Sequence, residues 1–130
     1  KNQIFKKREN DTFIFDSLNR EKYLYLLKNS SCIVGNSSSG LIEAPTFKIP
    51  CVNIGRRQNK RLRAKNVIDV INHDKKKIIK AIYKSLSKTF IKSLKDLKNP
   101  YGDGNSSQKI VETLITTKID KELLFKEITY

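Results

Sequence analysis

Residues 31–43 read Ser-Cys-Ile-Val-Gly-Asn-Ser-Ser-Ser-Gly-Leu-Ile-Glu, and this stretch decides the fold. Its apolar beginning predicts a short buried strand over 31–34. The glycine- and serine-rich residues 35–40 predict a loop, and the apolar positions from Leu41 to Phe47 predict a helix after it. A buried strand that passes through a small-residue loop into a helix is typical of a parallel α/β sheet.

Three further segments have the composition of strands. Residues 12–15, Thr-Phe-Ile-Phe, are β-branched or aromatic and predict a strand near the beginning of the chain. Residues 51–54, Cys-Val-Asn-Ile, predict a strand that stops at Gly55, and residues 67–70, Val-Ile-Asp-Val, predict another. Together with residues 31–34 they predict a parallel sheet.

Helical patterns separate and follow these strands. Residues 20–28 have one apolar side and predict a helix capped by Asn19. Asp74 is expected to cap one long helix with apolar positions over 78–90, and Asn105 is expected to cap a last helix. The order of elements predicts an α/β fold: a Rossmann-like parallel sheet with flanking helices. The last helix is expected to turn four apolar side chains inward: Ile110, Val111, Leu114 and Ile115.

Composition narrows the possible classes of protein. The chain has 130 residues, 38% of them hydrophobic, which argues against wholesale disorder. No apolar run approaches the about 18 residues of a membrane span, and the polar beginning lacks a secretory signal. One His and two separated cysteines, Cys32 and Cys51, leave no metal cluster, and few cysteines favour a reducing compartment, the cytoplasm. We expect no cofactor, and the absence of Met suggests a piece of a longer protein.

Positive charge is concentrated in the middle of the chain. The net charge is +14, and residues 51–100 contribute +12 from 15 basic and 3 acidic side chains. One group of basic residues lies in 56–65, and a series of lysines spaced by four runs over 76–92. We interpret the lysine series as a solvated helix face, while a surface for nucleic acid remains the alternative.

The loop over residues 35–40 has the chemistry of an anion site. Amides at the beginning of a helix lack internal partners, and serine hydroxyls add further donors. Gly35 and Gly40 would let the backbone turn tightly and approach a ligand. The same residues also suit a simple helix cap, so the loop alone leaves both interpretations open.

Two charged residues extend this candidate site. Glu43, one turn into the helix, could accept hydrogen bonds from a ribose diol, although a carboxylate there also suits the helix dipole. Arg57 follows the next strand at the same edge of the sheet, where its guanidinium could bind phosphate oxygens. It could equally be one of several surface arginines.

Four ordered segments carry a family resemblance. They are 35–45 (Gly-Asn-Ser-Ser-Ser-Gly-Leu-Ile-Glu-Ala-Pro), 52–58 (Val-Asn-Ile-Gly-Arg-Arg-Gln), 61–67 (Arg-Leu-Arg-Ala-Lys-Asn-Val) and 99–105 (Asn-Pro-Tyr-Gly-Asp-Gly-Asn). Together they closely resemble the UDP-N-acetylglucosamine 2-epimerase family, over about residues 12–116. The resemblance implies that the chain is most of the second domain of a two-domain GT-B-type fold.

The resemblance also implies binding roles. Ser37 and Ser38 match serines that hold the UDP diphosphate, and Glu43 matches the carboxylate that binds the ribose hydroxyls. Arg57 matches an arginine on the nucleotide side. No catalytic residue of the family matches this chain, and the resemblance gives His73 no catalytic role.

Leu18 and Tyr23 fall near family positions that contact uracil, by backbone and by ring stacking.

The composition of the loop indicates which branch of the family the chain resembles. The non-hydrolysing branch carries Asp-Ser-Gly-Gly and then Gln-Glu-Glu, whereas residues 36–39 and 41–43 here differ from both. We therefore expect the hydrolysing branch, which converts UDP-N-acetylglucosamine and water to N-acetylmannosamine and UDP for the biosynthesis of sialic-acid-type sugars.

The resemblance implies partners as well. The acids and bases of the reaction lie mainly in the family's first domain, so residues 1–130 are expected to be a partial, C-terminal nucleotide-binding domain without activity of its own. It is expected to work with a missing N-terminal domain, as a homo-oligomer when intact, on a UDP-sugar. Two alternatives remain: a basic nucleic-acid-binding module and a GT-B glycosyltransferase domain.

Overall fold

Three short parallel strands form the sheet of this computed structural model, which describes residues 11–125. They are β1 (Ile33–Gly35), β2 (Cys51–Ile54) and β3 (Val67–Val70), in that spatial order. The register pairs Val34 with Val52 on one side of the central strand and Val52 with Ile68 on the other. The parallel sheet expected from the sequence is thereby confirmed.

Helices precede, separate and follow the strands. Before the last strand lie α1, α2 and a 3₁₀ helix, and after it lie α3 to α6. Their bounds are α1 (Arg20–Lys28), α2 (Ser39–Ile42), the 3₁₀ helix (Ala44–Phe47), α3 (Lys75–Ser85), α4 (Lys88–Ser93), α5 (Ser106–Thr116) and α6 (Lys121–Leu124).

The buried core has two parts. In one, Leu27 of α1 packs with Ala44 and Ile49 around the 3₁₀ helix. In the other, Val52 and Val70 of the sheet pack with Ala81, Ile78 and Ile82 of α3. Burial of these apolar side chains is the main force that holds helices to a sheet.

The strand expected over residues 12–15 is wrong. This segment pairs with no strand in the described part of the chain, and its three apolar side chains are exposed, 80% for Phe13. Aromatic and β-branched composition favours a pleated, half-buried surface, and no sheet edge formed by residues 11–125 supplies one.

Two of the expected helices are each divided. Pro45 stands where the helix expected up to Phe47 would continue, and the chain forms a separate 3₁₀ turn there. The long helix expected up to Phe90 ends at Ser85, and a new helix begins after Ser87, whose hydroxyl accepts from the Phe90 amide at 3.2 Å. A serine that caps a new helix cannot also lie inside the preceding one.

The inward-facing side expected for α5 is wrong. Ile110, Val111, Leu114 and Ile115 are all more than half exposed in the described structure. Asn105 also makes no capping hydrogen bond; instead its amide donates to Asp103 at 3.0 Å. That bond, together with Lys109, lowers the pKa of Asp103 to about 2.

Candidate functional site

The candidate site lies where β1 and β2 end, at one edge of the sheet. Residues 36–38, here called the serine loop, follow β1, and residues 56–63, the arginine loop, follow β2. Gly35 and Gly55 have φ values of +149° and +81°, so both strands end in backbone conformations that favour glycine. The side-chain amide of Gln58 donates a hydrogen bond to the Asn36 carbonyl at 2.6 Å and so joins the two loops.

The serine loop leaves hydrogen-bond donors free. Ser37 is exposed, and its hydroxyl accepts from the amide of Ser39 at 3.3 Å. Ser38 precedes α2 without making a side-chain cap. The backbone amides of Ser37 and Ser38 have no acceptor within residues 11–125. Hydroxyls and amides so placed can donate to an anion.

Glu43 follows α2 and is one-quarter exposed. Its Oε1 lies 3.5 Å from Nη1 of Arg20 on α1, an exposed side chain. The carboxylate lines a cavity of about 340 Å³ between α1, α2 and residues 99–106. The arrangement leaves carboxylate lone pairs available to hydroxyl donors.

Asn99 closes this cavity on the side of residues 99–106. Its side-chain amide donates to the Ile42 carbonyl and to the Thr46 hydroxyl, both at 2.8 Å. The hydroxyl of Tyr101 donates to the Leu62 carbonyl at 3.0 Å. The Asn-Pro-Tyr-Gly motif therefore holds the wall of the cavity beside Glu43.

Arg57 lies on the arginine loop, at the same edge as the serine loop. Its side chain is exposed and makes no hydrogen bond or ion pair with the described residues. A guanidinium with free donors beside a loop of free amides can bind a doubly charged group such as a diphosphate.

Tyr23 and Leu18 lie in different surroundings. The ring of Tyr23 packs against the core part that contains Leu27, and its hydroxyl shares a hydrogen bond with the Ser39 hydroxyl beside the serine loop. Leu18 is half-buried ahead of α1 and lines a separate apolar cavity with Phe15 and Tyr25. The structure thus brings Tyr23 close to the serine loop but not Leu18 to the cavity beside Glu43.

Sequence reasoning missed Gln58 and Arg20. Gln58 belongs to the Arg-Arg-Gln segment, yet nothing in that pattern shows that its side chain is 2% exposed and reaches the serine loop. Arg20 occupies an exposed position on α1, where its ion pair with Glu43 depends on a contact 23 residues away in sequence.

Other reactive groups contribute no obvious chemistry to this edge. His73 is exposed, with its Cε1 and Nε2 each 3.6 Å from the position that a Cβ on Gly55 would take. Burial raises the pKa of the Cys51 thiol to about 12, with added repulsion from Cys32 and Asp69, so it is no nucleophile near neutral pH.

Two absences can be stated for residues 11–125. No group of three or more His, Cys, Asp or Glu side chains in this range could hold a metal ion. Within the same range no helix has the length and apolarity needed to cross a membrane.

Comparison with protein families gives one match over most of the chain. The profile of the UDP-N-acetylglucosamine 2-epimerase family matches residues 2–115.

Curated proteins match over similar regions. A Legionella pneumophila protein named UDP-N,N'-diacetylbacillosamine 2-epimerase (hydrolyzing) is 39% identical over 89% of this chain. An Escherichia coli protein named polysialic acid biosynthesis protein P7 is 39% identical over 78% of the chain. The chain spans only 29% and 27% of the lengths of these two relatives.

A solved structure shows the same fold. The Methanocaldococcus jannaschii UDP-GlcNAc 2-epimerase in complex with UDP-GlcNAc and UDP is 26% identical, with a TM-score of 0.63. The similarity covers 88% of this chain and 31% of that protein. The chain therefore has the Rossmann-like architecture of part of a GT-B-type fold, as the sequence predicted.

Proposed function

The chain belongs to the UDP-N-acetylglucosamine 2-epimerase family, and from this membership we propose that it supplies the UDP-binding half of a hydrolysing sugar-nucleotide 2-epimerase. The observation that carries the proposal is the shared position of the serine loop and Arg57 at one sheet edge. Free amides, hydroxyls and a guanidinium on two adjoining loops match the oxygens of a diphosphate.

Each part of UDP has a proposed partner in this arrangement. Ser37 and Ser38 donate to the diphosphate, and Arg57 neutralises its charge from the neighbouring loop. Glu43 accepts hydrogen bonds from the ribose hydroxyls. Its weak, exposed contact with Arg20 at 3.5 Å gives little stabilisation, so a ribose diol can compete for the same carboxylate.

The uracil ring belongs on the side of α1. Tyr23 is half-buried and its hydroxyl is joined to Ser39, so the ring has a defined position beside the serine loop, and we assign it to stacking on the base. Leu18 would contact the base through its backbone. Both assignments rest on the family resemblance together with the position of α1 beside the serine loop.

The proposed reaction of the intact protein is hydrolysis of UDP-N-acetylglucosamine with inversion at C2, giving N-acetylmannosamine and UDP. Abstraction of the C2 proton and loss of UDP give an unsaturated sugar, to which water adds. In this scheme the chain binds the departing UDP, and the groups that move protons belong to another part of the protein. Stabilising the negative charge on the leaving diphosphate is the contribution of the serine loop and Arg57.

One observation favours a second candidate for the sugar nucleotide substrate. The Legionella relative is named for UDP-N,N'-diacetylbacillosamine. Both substrates share the UDP group, so the UDP-binding role proposed for this chain is the same for either. Product analysis of the full-length protein with each sugar nucleotide and water, without an acceptor, distinguishes them and also separates hydrolysis from glycosyl transfer.

Location and assembly are also proposed. The two free cysteines fit a reducing compartment, so we place the protein in the cytoplasm. We further propose that the intact protein works as a homo-oligomer, as the family resemblance implies.

Titration calorimetry of the full-length protein with UDP and with uridine tests the binding site. Ser37→Ala is expected to lower the affinity for UDP about tenfold and to leave that for uridine unchanged, because the role proposed for Ser37 is to donate to the diphosphate alone. Glu43→Ala is expected to lower the affinity for both ligands about tenfold, because it removes the hydrogen-bond acceptor for the ribose hydroxyls.

Matched controls are available on exposed positions away from the site. Ser107→Ala and Glu112→Ala make the same chemical changes on α5 and should leave both affinities unchanged. Unaltered UDP affinity in both Ser37→Ala and Glu43→Ala would overturn the site assignment.

A further inference from the structure

The arginine loop is shaped from within by Arg63. Its guanidinium donates to the carbonyl of Gln58 at 3.1 Å and to that of Arg61 at 2.8 Å. Its Nε donates to Asp69 of β3 at 2.7 Å. One side chain therefore ties two points of the loop to the adjacent strand. The arginine acts as an internal support of the loop and not as a free surface charge.

The support continues into the sheet and into the serine loop. Asp69 also accepts from the side-chain amide of Asn53, in the middle of β2, at 2.7 Å. At the other end, Gln58 reaches the Asn36 carbonyl at 2.6 Å. The sheet, the arginine loop and the serine loop are thus connected by one series of hydrogen bonds.

Gln58 occupies this position at a cost in stability. The side chain is 2% exposed, and its Oε1 has no partner among the described residues. A buried amide oxygen left without a hydrogen bond destabilises a fold. An apolar side chain would fill this space without leaving an oxygen unpaired, so the amide at this position indicates a role other than packing.

We propose that Gln58 and Arg63 are positioning residues that hold the arginine loop against the serine loop and so preassemble the site for a nucleoside diphosphate. The role presupposes the UDP binding proposed above, because the two loops carry the donors for the phosphates. When both loops are set before the ligand arrives, binding does not have to order them. Loss of the support weakens the diphosphate contacts and spares those to the nucleoside.

Substitution of Arg63 by lysine tests the support without a change in net charge. Lysine cannot donate in three directions from one planar group, so the loop loses contacts with its own carbonyls. We expect Arg63→Lys to lower the affinity for UDP about fivefold and to change the affinity for uridine less than about twofold. Arg61→Lys, two residues away on the same loop with an exposed side chain, should change neither.

Substitution of Gln58 by methionine tests the joint between the loops. Methionine keeps the length of the side chain and its neutrality but cannot donate to the Asn36 carbonyl. UDP affinity should again fall about fivefold with uridine unchanged. Gln108→Met, on the exposed side of α5, is the matched control.

The ratio of the two affinities separates positioning from general damage to the fold. If UDP and uridine weaken equally in Arg63→Lys and Gln58→Met, or if Arg63→Lys behaves like Arg61→Lys, the positioning role is wrong. Should the unsubstituted full-length protein bind neither ligand, the proposed function itself is wrong and the positioning role with it. Binding of UDP by the unsubstituted full-length protein, with no selective loss in the variants, rejects the positioning role alone.

Discussion

Gly40 shows how a single residue can set the position of a helix. Its φ lies outside the left-handed region, unlike those of Gly35 and Gly55, so it does not serve the tight turn expected from the sequence. A Cβ on Gly40 would instead overlap the Sγ of Cys51, which is 2% exposed on β2. Glycine is required here because α2 packs directly on the central strand.

A double substitution tests this interpretation. Gly40→Ala should lower the free energy of unfolding by about 1–3 kcal/mol, because the added methyl overpacks the contact with Cys51. Adding Cys51→Ala should recover most of the loss, since the remaining Cβ would be 3.4 Å away, a tolerable separation. Denaturant unfolding of the two single variants and the double variant measures the coupling. Simple addition of the two losses would contradict the contact.

At the scale of elements, helix ends depend on which cap candidates actually make a hydrogen bond. Asp74 accepts from the amides of Lys76 at 2.8 Å and Lys77 at 3.2 Å, as the sequence predicted for the beginning of α3. Asn105 was expected to do the same for α5, but its side chain makes no such bond. Instead, the Asp103 carboxylate accepts a hydrogen bond from the backbone amide of Asn105. Two residues of similar capping preference therefore contribute differently.

The difference between the two caps can be measured directly. Asp74→Ala should lower the free energy of unfolding by about 1 kcal/mol, because two amides at the beginning of α3 lose their acceptor. Asn105→Ala should lower it by less than about 0.5 kcal/mol, because no capping bond is lost. Thermal unfolding of both variants in the same buffer measures the two losses in unfolding free energy. Equal losses would contradict the distinction.

At the scale of the whole molecule, the buried apolar side chains of the described residues lie in, or directly beside, the sheet and the helices packed on it. Leu94, at the end of α4, is 1% exposed, whereas Leu114 of α5 is 71% exposed. No residue of α5 is buried among the described residues, although its pattern is amphipathic. Among the described residues, the contacts that stabilise the chain therefore lie in the core around β2 and not on α5.

A pair of leucine substitutions compares the two regions. Leu94→Ala should lower the free energy of unfolding by about 2–5 kcal/mol, because it leaves a cavity in the core. Leu114→Ala should change it by less than about 0.5 kcal/mol, because the leucine contacts mainly solvent and alanine suits a helix equally well. Urea unfolding measures both. A large loss for Leu114→Ala would show that α5 packs against the core in solution.

The features that the sequence determined by itself are those with a local cause. The apolar strands β2 and β3, the capped beginnings of α1 and α3, and the serine loop over 36–38 all follow from neighbouring residues, whose backbone preferences and short hydrogen bonds act within one turn. The family resemblance likewise identified the residues that carry the proposed UDP site. Their roles at the site remain predictions.

The features that only the tertiary structure decided involve partners far apart in sequence. Within residues 11–125, the strand-like segment 12–15 pairs with no sheet edge, and the apolar side of α5 is covered by no other element. Gln58 meets Asn36 across 22 positions, and Gly40 meets Cys51 across a helix–sheet contact. Composition and periodicity predict which faces of a segment are apolar and which are polar. Pairing and burial depend on which other surface is brought against it, and that is a property of the folded chain.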